Sequence, residues 1–434
     1  MHSFPTPIAT ANLQRHLRIL TRDIGVRLSG SPGEQQAADY LAAEFQKTGA
    51  KVTLETFPVM ERWVKRQRLK IRLGKRWLVF PCSLISSTPG TEGKTLEAPL
   101  VFFEAPAEYQ RGNLTHLRGK AVVHLGTHIE SRESYRRLIR ARPKFLLFVD
   151  IRYPGTTPLA DGLFPAYTRD IGAVPTINVA FQDAWRWKAE GAAAARLNVV
   201  GGIRPATSQN VIAELPGTDS SAGLIFLSGH HDTQADSVGA DDNASGSVAL
   251  LELARVLAPL PRRRAIRLIS FGAEEQLSVG SAMYVRRHRA ELERAGKLIF
   301  NLDAFGSLMG WTVMVGNGPK SMSQAILPYF EQQGLSVKVS EEIMPYSDHF
   351  PFVAAGVPGI YLGRNNCTAG RFFHHRPDDD MRRLSIPLMA GLLNAVARMI
   401  AHFAAAKKMP FPADIPPEQR RHVRTFWQDL FGGF

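Results

Sequence analysis

From about residue 206 the chain alternates short apolar runs with helical segments, and this alternation restricts the fold more than any other feature. VIAEL (211–215), LIFLS (224–228), AIRLISF (265–271) and LIFNL (298–302) read as strands. SGSVALLELARVLA (245–258) reads as the helix between the second and the third. Strand and helix in turn predict an α/β fold with a largely parallel sheet flanked by helices. In such sheets ligands gather outside the carboxyl ends of the strands. Polar residues gather there in this sequence too: GHHDTQADSVGADDNASG (229–246) follows one run, Glu274 and Glu275 the next, and Asp303 the last. Three consecutive strand ends carry costly polar groups that a purely structural role does not explain.

His230-His231-Asp232 comes first. If the strand persists, residues 230 and 232 share a face and 231 points to the other. His230 is then a candidate metal ligand, and Asp232 the carboxylate that accepts its second N–H and fixes its tautomer. His231 is expected to pack. In GADDNASG (239–246), helix capping by Asp242 or Asn243 competes with metal binding. Two adjacent acids beside a histidine repel one another unless a cation sits between them. The loop lacks the D-x-D-x-D-G alternation of an EF-hand. Glu274 and Glu275 end an apolar strand, where a solvated face is not expected. One of them can ligate a metal while the other serves as a general base. Asp303 adds a hard oxygen ligand. RFFHHRPDDD (371–380) supplies His374, His375 and three aspartates in a loop before a long apolar helix.

Taken in order, H-x-D, G-A-D-D-x-A-S-G, E-E, a strand-end D, S-D-H and H-x-P-D-D resemble the two-zinc (co-catalytic) aminopeptidase family. That family includes bacterial leucyl aminopeptidases, glutamate carboxypeptidase II and the glutaminyl cyclases. The resemblance covers about 206–400 and the 25–57 segment. It implies two zinc ions per chain, one held by His230 and Asp303, the other by Glu275 and His375, with Asp242 bridging. It implies Glu274 as general base, Asp232 as the acid orienting His230, and Asp379 at the family's downstream acid. His375 rather than His374 aligns with the family's H-T-P-D-D form. The implied reaction is hydrolysis of a peptide substrate, with release of an N-terminal residue. A glutaminyl cyclase-type acyltransferase on the same scaffold is the alternative, and a non-catalytic binding relative a further one. Leu277-Ser278, where the family usually has Gly-Leu, and Arg376, where it usually has threonine, depart from the pattern. Ser347-Asp348-His349 matches the S-D-H segment and is expected to shape the cleft.

The remaining sequence sets the frame. Ser31-Pro32-Gly33-Glu34 has the S-x-x-E form of a capping box, and Ala37, Ala38, Leu41 and Phe45 give its helix an apolar face. Between 61 and 205 short apolar runs alternate with turns in a β-rich module that resembles a protease-associated insertion. The expected division is 1–60 and 206–408 for the peptidase part, 61–205 for the insertion and 409–434 for an amphipathic tail. Val423, Phe426, Trp427, Leu430 and Phe431 lie at helical spacing in that tail, as for docking on the body. The run 64–76 alternates basic and apolar residues, as a strand with one buried and one solvated basic face would. The net charge of +14 is read as an arginine-rich background, because basic residues are spread along the chain. No nucleic acid partner and no membrane span are expected. Two cysteines and an N-terminus without a signal-like apolar core point to a cytoplasmic protein, although a chain trimmed of a leader would read the same. Oligomeric state stays open.

Overall fold

The computed structural model describes residues 5–434 except 106, 111, 127, 128, 130, 154, 368 and 369. Two compact units emerge, one from residues 1–59, 207–428 and 434, the other from residues 60–206 and 429–433.

In the first unit the strands run in the order Val337–Ser340, Trp311–Asn317, Gly359–Asn365, Gly296–Leu302, Leu224–His230, Ala265–Phe271, and residues 211–215. Gly359–Asn365, Gly296–Leu302, Leu224–His230 and Ala265–Phe271 are mutually parallel. This is the expected α/β architecture, a largely parallel sheet flanked by helices. Leu224–His230 is buried at every position, which is why it reads as a continuous apolar run rather than an alternating one. It extends two residues past the predicted LIFLS and stops at His230, so Asp232 lies in the following loop and not on the strand face.

The helix Gly246–Leu257 packs beneath the sheet with eleven buried positions. The 20-residue helix Ile386–Ala405 is long and apolar enough to cross a membrane by composition, yet eleven of its residues lie in the core. The tail forms a helix, Pro417–Phe431, in which Phe426 and Trp427 pack against Phe350.

At the helix Pro32–Lys47 half of the expected capping box forms. Ser31 Oγ accepts the Glu34 N–H at 3.4 Å. The Glu34 carboxylate does not return to the Ser31 N–H, which donates to Leu28 O at 2.9 Å. Instead it accepts from Gly30 N (2.6 Å), Ser208 Oγ (2.7 Å) and Ala273 N (3.1 Å). Tertiary donors outcompete the local one.

In the second unit Thr95–Phe103, Ala121–Leu125, Phe145–Asp150 and Thr176–Ala180 form a parallel sheet. The end of the strand Lys51–Leu73, from Leu69 on, pairs antiparallel with Arg76–Phe80, and the pair contributes Leu69, Ile71, Leu73 and Phe80 to the same core.

Gly246 fixes how closely the helix start approaches the sheet. A Cβ there would stand 2.3 Å from Leu302 O and 2.5 Å from Asn243 Oδ1. Both neighbours adjoin candidate ligands, Asp303 and Asp242. Gly246→Ala is expected to destabilise the fold by about 1–3 kcal/mol through overpacking, measured as a shift in urea midpoint at unchanged m-value.

Candidate metal centre

The three strand ends converge. His230 is fully buried, and its Nε2 lies 3.2 Å from Asp242 Oδ1, 3.7 Å from Glu274 Oε2 and 3.8 Å from Asp303 Oδ1. Its Nδ1 lies 3.3 Å from Asp232 Oδ1. On the other side His375 Nε2 lies 2.9 Å from Glu275 Oε2 and 3.4 Å from Asp242 Oδ2. The two oxygens of Asp242 therefore face two different histidines. All seven residues singled out in the sequence come together.

Asp232 reaches this cluster from its loop. Oδ1 accepts the Glu274 N–H (3.0 Å), and Oδ2 accepts the Glu275 N–H (3.1 Å) and the Ser29 hydroxyl (2.8 Å). It thus holds both the His230 ring and the glutamate turn. Ala273, Leu277 and Ser278 around that turn are non-glycine residues with φ of 52°, 68° and 56°. Strain of this kind costs about 1–3 kcal/mol per residue and persists only where the surroundings over-determine it. Here Ser278 N donates to Glu274 O at 2.7 Å, and Ser278 Oγ donates to Glu274 Oε1 at 3.2 Å. The departure Leu277-Ser278 thus touches the candidate base directly.

The side chains of the adjacent acids Asp241 and Asp242 point to different partners. Asp241 turns away, and its Oδ1 accepts the Gly306 N–H at 2.8 Å. Asp379 accepts the N–H groups of both, at 2.9 and 3.0 Å, and so fixes the bend that separates them. Capping falls to Asn243, whose Oδ1 accepts the Gly246 N–H at 2.8 Å. His231 packs with its Nδ1 3.1 Å from Ser270 Oγ. Ser347 donates to Asp303 Oδ2 at 3.0 Å, Asp348 accepts from Ser281 Oγ at 2.6 Å, and His349 Nε2 lies 3.1 Å from Asn317 Oδ1. Only the serine of S-D-H touches a candidate ligand through a hydrogen bond. Arg376 is buried.

His374 is a close competitor of His375. The two Nε2 atoms are 2.6 Å apart, and that of His374 is 3.8 Å from Asp242 Oδ2. Glu275 faces His375.

Electrostatics are dominated by buried like charges. Burial, together with Asp348, Asp303 and Glu275, pushes the Glu274 carboxyl well above its usual range, against the pull of His230. Burial and Asp242 push Glu275 up to about 7. Burial opposes a charge on His230, but Glu274, Asp232, Asp242 and Asp303 outweigh it and hold the imidazole well above its ordinary value. Such a cage calls for cations. Among the described residues the buried His230 Nε2, Glu275 Oε1 and Asp303 Oδ1 have no hydrogen-bond partner. His230, Asp242 and Asp303 offer donor atoms within 4.8 Å of one another, as do Asp242, His374 and His375. Imidazole and carboxylate donors of this kind suit zinc.

One cation of the chain already enters the cage, and sequence reasoning did not find it. Arg371 donates from Nη2 to Asp242 Oδ2 at 2.8 Å and from Nη1 to Tyr361 Oη at 3.2 Å. Its only trace in the sequence is an arginine four residues before His375.

Comparison with known proteins shows what the chain is similar to. Residues 210–404 match the family model described as Peptidase family M28. Aminopeptidase YwaD of Bacillus subtilis is 24% identical over 427 residues, covering 95% of this chain and 88% of that protein. Carboxypeptidase Q of Rattus norvegicus is 24% identical over 421 residues, covering 91% of this chain and 86% of that protein. The structure of BSAP, a zinc aminopeptidase from Bacillus subtilis, superposes with a TM-score of 0.75 at 22% identity, over 95% of this chain and 98% of that one.

Residues 27–34 lie outside the matched segment yet support the cage. Arg27 is fully buried. Its guanidinium donates to the carbonyls of His231 (2.7 Å), Leu20 (3.0 Å), Gly25 (2.8 Å), Val238 (2.9 Å) and Gly239 (3.2 Å). It clamps both ends of the loop that carries Asp232. Neither Arg27, Ser29 nor Glu34 was singled out for the site, since no local pattern marks them. Arg27→Met fills a similar volume but orphans several buried carbonyls, each worth about 1–3 kcal/mol. A loss of at least about 3 kcal/mol in denaturant unfolding is expected.

Proposed function

We propose, from residues 210–404 as a segment of peptidase family M28 and the chain as a metallopeptidase, that it is a zinc aminopeptidase carrying two ions. His230 and Asp303 would hold one, Glu275 and His375 the other, and Asp242 would serve both. The observation that carries this reading is the Asp242 carboxylate, with one oxygen 3.2 Å from His230 and the other 3.4 Å from His375. When bound, the ions supply Lewis acidity toward a carbonyl and make a water nucleophilic at neutral pH.

The chain's own residues supply the rest. Glu274 accepts the proton of the attacking water and delivers it to the leaving amine. Its burial among other acids raises its proton affinity, which suits that shuttle. Ser278, on Glu274 Oε1, leaves Oε2 as the oxygen facing the cage. Asp232 fixes the His230 ring and the backbone of the glutamate turn at once. All of these side chains come from residues 207–428, and the inserted unit contributes none.

Metal analysis alongside hydrolysis of peptides with free and acetylated N-termini tests the reading. About two zinc ions per chain, loss of activity with a chelator and a requirement for the free amine are expected. Full activity in metal-free protein would overturn it, and ammonia release from N-terminal glutamine would favour the acyltransferase.

Base and ligand separate by substitution. Glu274→Gln is expected to keep its zinc and lose about 10²–10⁴-fold in rate. Glu275→Gln is expected to lose zinc from one site and recover partly in excess metal. The opposite pattern of zinc content would exchange the two roles.

Arg371 bears on the ion at Asp242 Oδ2. A fixed guanidinium on that oxygen repels a divalent cation there, so Arg371→Gln is expected to tighten that site by roughly tenfold. Competition against a chromophoric chelator measures this. Weaker binding in the variant would mean that Arg371 instead holds Asp242 ready for the metal.

A further inference from the structure

Basic residues are spread along the chain, but the net positive charge is not: most of it falls in residues 60–206. Residues 60–206 hold 24 Lys and Arg against 12 Asp and Glu, and the rest of the chain holds 29 against 27. From 62 to 91 there are eight basic residues and no acid.

Four of these residues, Arg66, Arg68, Lys70 and Arg72, fall at alternate positions of one strand, while Arg62 is buried. In the hairpin of Lys51–Leu73 with Arg76–Phe80, Leu69, Ile71 and Leu73 turn into the core while Arg66, Arg68 and Arg72 are exposed and Lys70 is half-buried. Lys70 stands opposite Val79, and Arg72 opposite Trp77, so Val79 and Trp77 share the basic face. The adjoining strand Ala194–Leu215 adds Arg196, and its Asn198 accepts from Arg66 at 3.4 Å. Glu97 stands opposite Arg196, 2.7 Å from its Nε, and places an acid on this face. Side chains at alternate strand positions stand about 6.6–6.8 Å apart, so the cations follow one another closely along one side of the strand.

We propose that this face docks on an anionic lipid bilayer. A bilayer presents closely spaced negative headgroups to such a row of cations and tolerates the exposed Val79. A single-stranded nucleic acid would want aromatic rings to stack on, but the guanidinium groups of Arg72 and Arg196 already lie over Trp77, 6.0 and 4.0 Å from its centroid. Contact with phosphate or carboxylate headgroups requires none of the peptidase residues, so failure of this inference leaves the proposed reaction untouched.

The test is co-sedimentation of the zinc-loaded full chain with vesicles of phosphatidylglycerol and phosphatidylcholine, and with phosphatidylcholine alone. Binding to the anionic vesicles only is expected, weakening in about 0.5 M salt as the charges are screened. Arg66→Glu/Arg68→Glu/Arg72→Glu is expected to weaken binding by roughly a hundredfold, about fivefold per residue before counting the reversed sign. Arg66→Gln/Arg68→Gln/Arg72→Gln should give a smaller loss. A control with the same charge change at the exposed Arg18, Arg22 and Arg424 should bind like wild type. Zinc content and peptide hydrolysis should be the same in all of them. Equal losses in the two charge-reversed triples would reduce the effect to net charge and overturn the inference. So would absence of vesicle binding, or binding to duplex DNA through Arg66, Arg68 and Arg72 in its place.

Discussion

The centre depends on one carboxylate that is proposed to touch no metal. Asp232 lies 3.3 Å from His230 Nδ1 and accepts the backbone N–H groups of Glu274 and Glu275. His230 ends one strand and the glutamate turn follows its parallel neighbour, and the last residues of the two strands, His230 and Phe271, are paired in register. The sheet alone would leave the imidazole free to rotate and the glutamate turn free to relax from its left-handed residues. A buried carboxylate accepting two backbone N–H groups and a hydroxyl is strongly held. Burial acts to raise its pKa, but the hydrogen bond and charge of His230 bring it below the usual carboxylate value. Orientation of the histidine and of the glutamate pair is therefore a single event.

That arrangement stores electrostatic cost, and the N-terminal segment bears on it with one buried guanidinium and one buried carboxyl. Arg27 spends its guanidinium on five carbonyls rather than on acids. Glu34 is pushed up to about 8 by burial and by Asp232, while its three N–H and O–H donors oppose this. One side chain fixes the loop of Asp232, and the other fixes Ala273 at the start of the glutamate turn. Arg371 follows the opposite logic, since it pairs with a carboxylate proposed to bind metal. One arginine is scaffold and the other is part of the charge balance of the cage.

The sequence was legible where chemistry coincides with a strand end. His230, Glu274, Glu275 and Asp303 follow apolar runs that the parallel sheet buries on both faces, so they stood out as polar residues in the wrong setting. Asp242 and His375 needed motif order, because nothing local distinguishes Asp242 from Asp241 or His375 from His374. The distinction is tertiary: Gly306 N–H captures Asp241, and Glu275 faces His375. Glu34 was legible as half of a capping box and turned out to serve Ala273 and Ser208. Arg27, Ser29 and Arg371 were not legible at all, since each acts across more than 100 residues of chain.

The same contrast governs charge. A net charge of +14 suggests a cationic protein, yet residues 207–428 surround a cage whose groups are predominantly acidic and buried. A buried carboxylate repels its neighbours through a poorly screening interior, whereas an exposed arginine is screened within about 8 Å at physiological salt. Surface surplus therefore does little to relieve the cage. Relief must come from buried groups in or beside it, which here are the histidines, the guanidinium groups of Arg371 and Arg27, and the proposed ions. Arg66, Arg68 and Arg72 of the inserted unit are free of that task, and their exposure at alternate positions of one strand is what leaves them available to the proposed anionic surface.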